Sequence, residues 1–143
     1  MSTEMASKPD LWGDIDLAAD RTPVVILREQ AALLGKKTKN VVEAKVTTAV
    51  SGKSVHHSFN LVVPAMDGYT YELFSIRHGV EAYYPVTVDE INTFGAIVST
   101  QLGLGPIKRE LADEAQFTAW LQEQLSSPKT KKIVGTLFSQ VAA

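Results

Sequence analysis

The fold is decided by residues 41–64, VVEAKVTTAVSGKSVHHSFNLVVP. Apolar or small residues alternate with polar ones along both halves of this stretch, and a period of two places alternate side chains on one face of a strand. The central SGKS, residues 51–54, predicts a turn between two antiparallel strands. The predicted inward set comprises Val42, Ala44, Val46, Thr48, Val50, Val55, His57, Phe59, Leu61 and Val63.

Two more strands are predicted after this hairpin. Tyr69 to His78 has apolar residues at both parities, which indicates a strand covered on both faces along part of its length. Val80 to Val88 alternates again and predicts a fourth strand. Pro85 has no N–H to donate to a ladder, so the fourth strand is expected at an edge or bulged near that residue.

Helices are predicted on either side of the strands. Thr22-Pro23 is a typical helix start, and Gly35 is expected to end this helix. Asp113, with Gln116 three residues later, resembles a capping box and predicts a second helix. Ser127-Pro128 ends that helix and begins a third.

The predicted fold class is α+β. An antiparallel four- or five-stranded meander sheet carries one N-terminal and two C-terminal helices packed on it. Residues 21–143 form a single domain, and residues 1–20 form a flexible acidic tail. Residues 89–108, which contain several glycines, have no readable secondary structure.

Composition narrows the function classes. A net charge of −2 gives no overall attraction to nucleic acid or to anionic membranes. Cysteine is absent, which removes disulfides and thiolate chemistry and fits a reducing compartment. No segment has the length and apolarity of a signal peptide's core or of a spanning helix, so we expect a soluble cytoplasmic protein.

No catalytic residue, metal site or cofactor is predicted. His56 and His57 are adjacent on a strand, so their side chains point to opposite faces and do not clamp one metal together. His57 shares a face with Val55 and Phe59, where a hydrogen-bonded core histidine is the usual role. No HExxH pair and no nucleophile elbow occurs, so whether the protein is an enzyme stays open, with the balance against it.

The leading functional hypothesis is a protein-interaction module, such as an adaptor, regulatory or inhibitory subunit, or a homo-oligomer. Tyrosine and arginine are enriched where proteins recognise partners, and Trp12 lies in an acidic, aromatic segment. The predicted binding residues are Tyr71, Arg77, His78, Tyr83 and Trp12.

Two alternatives remain open. A small-molecule binder or enzyme would hold its ligand between the sheet and residues 89–108, in a pocket lined by His57, His78 and Tyr71. A nucleic-acid binder would use lysines at the end of the first helix and the start of the last, although the charge balance disfavours it. Those lysines are Lys36, Lys37, Lys39, Lys129, Lys131 and Lys132.

Overall fold

A computed structural model of the chain describes residues 9–13, 21–90 and 107–142. The predictions made for residues 1–8, 14–20 and 91–106 lie outside these described residues. The elements, in chain order, are α1 (Pro23–Lys37), β1 (Glu43–Ser51), β2 (Ser54–Val63), a 3₁₀ turn (Pro64–Met66), β3 (Tyr69–Gly79), β4 (Ala82–Glu90), β5 (Ile107–Leu111), α2 (Glu114–Leu125) and α3 (Pro128–Ala142). The predicted α+β class, with one N-terminal and two C-terminal helices, is confirmed.

The five strands form one antiparallel sheet in the order β1-β2-β3-β4-β5, which is a simple meander. The predicted hairpin pairs Val46 with Phe59 and turns at Gly52-Lys53. Phe59 is 1% exposed, and Val46 packs against the core beside it. The predicted inward face is therefore confirmed for the part of the hairpin under the core, whereas Val50, a member of the predicted set next to the turn, is 66% exposed. Burial of the apolar part of this face stabilises the sheet.

Strand β3 contains a bulge that explains its mixed pattern. Phe59 pairs with Phe74 while the next residue, Asn60, pairs with Glu72, so Leu73 is an extra residue on β3. One extra residue reverses the parity of the strand. Tyr71 therefore lies on the inward face before the bulge, and Ile76 lies on the same face after it.

Strand β4 is irregular where Pro85 lies. The β3–β4 register shifts between Arg77 and Gly79, so one residue of β3 faces a four-residue stretch that includes Pro85. Beyond it, Val86 to Glu90 pairs with β5, so this part of β4 is interior to the sheet. The sequence predicted either an edge position or a bulge near Pro85, and the structure has the bulge.

The predicted helix starts are confirmed by their hydrogen bonds. The Thr22 hydroxyl accepts from the Val25 N–H at 3.3 Å, at the start of α1. The Asp113 carboxylate accepts from the Gln116 N–H at 2.9 Å, at the start of α2. The Ser127 hydroxyl accepts from the Thr130 N–H at 3.2 Å, which caps α3. Each bond satisfies an N–H group that has no partner within its helix.

The predicted end of α1 at Gly35 is wrong, because the helix continues to Lys37. The chain reverses after the helix at Lys39 and Asn40, whose φ angles are 53° and 65°. Asparagine tolerates this left-handed conformation, so glycine is not required there. Gly35 is buried inside the helix instead, where a Cβ atom would lie 3.2 Å from Asn40 Oδ1.

The helices lie on the inward face of the sheet and enclose one hydrophobic core. Phe59 and Leu61 from β2 belong to one buried cluster with Leu27 from α1, and with Phe117 and Leu121 from α2. None of the described helices combines the length and the apolarity that a membrane-spanning helix requires.

Candidate ligand-binding cleft

A cleft of about 870 Å³ lies between α1 on one side and α2 and α3 on the other. Its floor is the inward face of the sheet, formed by Phe59, Leu61 and Leu73. Leu73 is the bulge residue of β3, so the irregularity that interrupts the strand also adds an apolar side chain to this floor. The volume lies within the range typical of small-molecule sites.

The walls of the cleft are the apolar stripes of the three helices. From α1 come Ile26, Leu33 and Leu34, and from the opposite wall come Leu121, Leu125, Val134 and Phe138. Residues three and four apart share one side of a helix, so each stripe follows from helical spacing. Leu33 remains 45% exposed, so these stripes meet the sheet without closing on one another.

The order of the elements fixes which helix ends meet. The α1 segment Arg28–Gly35 faces Glu43–Thr47 of β1 across a shallow groove, so α1 runs antiparallel to β1 and ends where the strand begins. Strand β5 ends opposite Val86, at the other end of the sheet. Helix α2 therefore starts there and runs back, and α3 starts beside the end of α1.

The charged residues lining the cleft are all basic. Lys37, in the last turn of α1, and Lys131, in the first turn of α3, line the end where α1 stops and α3 starts, which we call the lysine end. Arg21 lines the opposite end, where it is paired with Glu29. No Asp or Glu is among the described residues that line the cleft.

The hydroxyl groups at the lysine end are already used by the protein. The Thr38 hydroxyl lies 2.6 Å from the Val42 carbonyl oxygen and accepts from the Val42 N–H. The Thr130 hydroxyl lies 2.6 Å from the Gln124 carbonyl oxygen. These bonds hold the walls in place. Within the described part of the chain neither Lys37 nor Lys131 has an ion-pair partner.

A buried histidine pair lies outside this cleft, on the inward face near the β3–β4 turn. His57 Nε2 and His78 Nε2 are 3.0 Å apart, and the two side chains belong to residues that are 3% and 9% exposed. His57 Nδ1 lies 2.9 Å from the Thr48 hydroxyl, and His78 Nδ1 lies 2.7 Å from the Gly79 carbonyl oxygen. The predicted role of His57 as a hydrogen-bonded core residue is confirmed.

These contacts fix the protons of the neutral pair. A carbonyl oxygen only accepts, so His78 Nδ1 carries a proton and His78 Nε2 is an acceptor. His57 Nε2 then donates to His78 Nε2, and His57 Nδ1 accepts from Thr48. Burial, with positive charge from His78, Arg28 and His56, lowers the pKa of His57 from 6.5 to about 4.

The predicted binding residues do not form one surface. Arg77 lies on the opposite face of β3 from His78 and pairs with Asp89 of β4 at 3.3 Å. Tyr71 is half-buried against the core beside Leu61. The bulge at Leu73 separates Tyr71 and Arg77, which share a parity in the sequence, onto opposite faces.

Tyr83 and Trp12 are the exposed members of that predicted set. Tyr83 is 48% exposed at the β3–β4 turn, and its ring meets that of His78 edge to face at 6.0 Å. Trp12 is 81% exposed. The pocket predicted between the sheet and residues 89–108 involves residues outside the described ranges and stays a prediction.

Sequence reasoning identified the stripes and the lysines but missed the cleft that they form. Within residues 9–13, 21–90 and 107–142, no cluster of three potential metal ligands occurs. Comparison of the chain with protein-family models, with curated proteins and with solved structures gave no significant match. The functional argument therefore rests on the cleft itself.

Proposed function

We propose that the protein binds a small, elongated, mostly apolar molecule in the cleft between α1 and the α2–α3 pair. The observation that carries this proposal is an apolar space of about 870 Å³ above a preformed sheet. Apolar groups that line it, such as Leu33 and Phe138, are only partly buried. Covering them contributes about 25 cal/mol for each Å² of apolar surface removed from water.

Binding, without a chemical step, is the activity that the lining supports. Acid–base catalysis needs a titratable group near its operating pH, and nucleophilic catalysis needs a hydroxyl held by a base. No His, Asp or Glu is among the described lining residues. The Thr38, Ser126 and Thr130 hydroxyls lie within 3.1 Å of backbone carbonyl oxygens.

Gly135 offers the sharpest test, because it lines the cleft and a Cβ atom there would meet nothing within 4 Å. We expect Gly135→Leu to weaken the binding of decanol, an uncharged probe, by about 10-fold, because each displaced methylene group is worth about 0.8 kcal/mol. Calorimetric titration of both proteins measures the difference.

The matched control is Thr136→Leu, which adds bulk to α3 at an exposed position that does not line the cleft. Decanol affinity should stay within about twofold of the wild-type value in this variant. If the wild-type protein does not bind decanol, or if Gly135→Leu binds it unchanged, the proposal is wrong.

Protein–protein contact is a second candidate, and one observation favours it. Leu11 and Trp12 are 89% and 81% exposed on the segment that precedes the domain. Large apolar side chains left in water are typical of contact residues. Light scattering tests the homo-oligomer form of this hypothesis, because a solution mass above 15.6 kDa supports it and the mass of a single chain contradicts it.

A further inference from the structure

We infer that the ligand of the cleft is a long-chain carboxylate, with its anionic group at the lysine end between Lys37 and Lys131 and its hydrocarbon chain between the apolar stripes of α1 and of the α2–α3 pair. This inference rests on the proposed function and adds the chemical class of the ligand. It is argued from the charge of the lining and from the position of that charge relative to the apolar floor.

Among the described lining residues, the cations for which no ion pair is found lie at one end of the cleft. Lys37 and Lys131 lie there, and neither is ion-paired within the residues that the structure describes. The cation of the opposite end, Arg21, is already paired with Glu29. The whole protein has a net charge of −2, so this positive end is a local feature that differs in sign from the molecule around it.

Helix electrostatics do not account for the lysines of α3. Positive side chains stabilise the C-terminal turn of a helix, which suits Lys36 and Lys37 in α1. The first turn of α3 instead carries Lys129 and Lys131, with no acidic residue in that turn. Positive charge is unfavourable at a helix start, and a bound anion would relieve this repulsion.

The shape of the site favours a carboxylate with a long chain over a small anion or a nucleic acid. Helix α1, which begins two residues after Arg21 and ends at Lys37, is roughly 22 Å long at the usual helical rise. Most of that length is floored and walled by apolar side chains. Nucleobases are commonly held by stacked aromatic rings and arginines, whereas the described lining contains only Phe59 and Phe138 as aromatic residues and has Arg21 already paired.

The test compares decanoate with decanol, which share a chain length and differ in charge, by calorimetry at low salt and near neutral pH. The wild-type protein should bind decanoate about 10-fold more tightly than decanol, because the exposed Lys37 and Lys131 form two ion pairs with the acid alone and low salt limits their screening. In the double variant Lys37→Gln and Lys131→Gln, the two ligands should bind with equal affinity.

The control replaces Lys53 and Lys108, exposed lysines that do not line the cleft, by glutamine, which makes the same change in net charge. This variant should retain the preference for decanoate. Equal binding of the two ligands by the wild-type protein, or an unchanged preference after loss of Lys37 and Lys131, overturns this inference and leaves the proposed function intact. If neither ligand binds, both proposals are wrong.

Discussion

The buried side chain of His57 makes the stability of the fold depend on pH. Its ring is buried and hydrogen-bonds to His78 and to Thr48. Each ring nitrogen of the neutral His57–His78 pair has one hydrogen-bond partner. Adding a proton to His57 places a charge in a buried site close to Arg28 and His56. Burial, the largest cause, therefore lowers the pKa of His57 to about 4.

We predict that this histidine makes the protein less stable as the pH falls. A group whose pKa is lower in the folded protein binds more protons when the chain unfolds, so the stabilisation is complete above pH 6.5 and is lost between 6.5 and about 4. The difference between these two pKa values corresponds to a loss of at most about 3 kcal/mol in the free energy of unfolding. Urea unfolding of the wild-type protein and of His57→Gln at several pH values measures this loss, which should be smaller in the variant.

His56→Gln is the matched control, because His56 lies on the other face of the same strand and opposite Arg77. It should retain most of the wild-type dependence on pH. Equal slopes for the wild-type protein and His57→Gln between pH 6.5 and 4 would contradict the assignment to His57.

The inward position of His57 could be predicted from alternation, but its partner could not. If β2 and β3 paired without a bulge from Val63 and Tyr69 onward, Ser75 would lie opposite His57 and Arg77 would point to the inward face. The extra residue Leu73 shifts the register so that Ile76 lies opposite His57 and His78 becomes its diagonal neighbour. No local signal at Leu73 marks this shift, because the strand is apolar at both parities there.

At the scale of the element, the helix starts could be predicted because a cap depends on three or four neighbouring residues. Thr22, Asp113 and Ser127 each bond within their own first turn. The end of α1 could not be predicted, because Gly35 has a packing role against Asn40 that depends on the fold beyond the helix. Glycine therefore has a packing role at Gly35 in α1, whereas at Gly135 in α3 a Cβ atom would meet nothing within 4 Å.

The two helical glycines give a matched stability prediction. Gly135→Ala should raise the free energy of unfolding by about 0.5–1 kcal/mol, because alanine has the higher helix propensity and its Cβ would meet nothing within 4 Å. Gly35→Ala should gain less or lose stability, because its Cβ would press on Asn40 Oδ1 at 3.2 Å. Chemical denaturation of both variants measures the difference, and an equal or larger gain at Gly35 would contradict it.

At the scale of the whole molecule, the cleft results from how three helices share one sheet face. Helix α1 packs beside β1, whereas α2 follows β5 at the opposite edge, and α3 returns along α2. The two groups of helices approach from opposite sides and leave a cleft between them over the middle of the sheet, where Leu73 is partly buried and Phe59 lies buried beneath it. The apolar stripes could be predicted from the sequence, but the distance between them depends on packing at both edges.

The central claim is that the space above Phe59 and Leu73 receives an apolar chain, and amide chemical shifts measured during a titration with decanol test it most directly. The account predicts saturable shifts at Leu34, Leu121 and Gly135, which line three sides of the cleft. The amides of Ser58 and Ser75, paired strand residues away from the cleft lining, should stay unchanged. Shifts concentrated at Ser58 and Ser75, or no saturable shift at the cleft residues, would contradict the account.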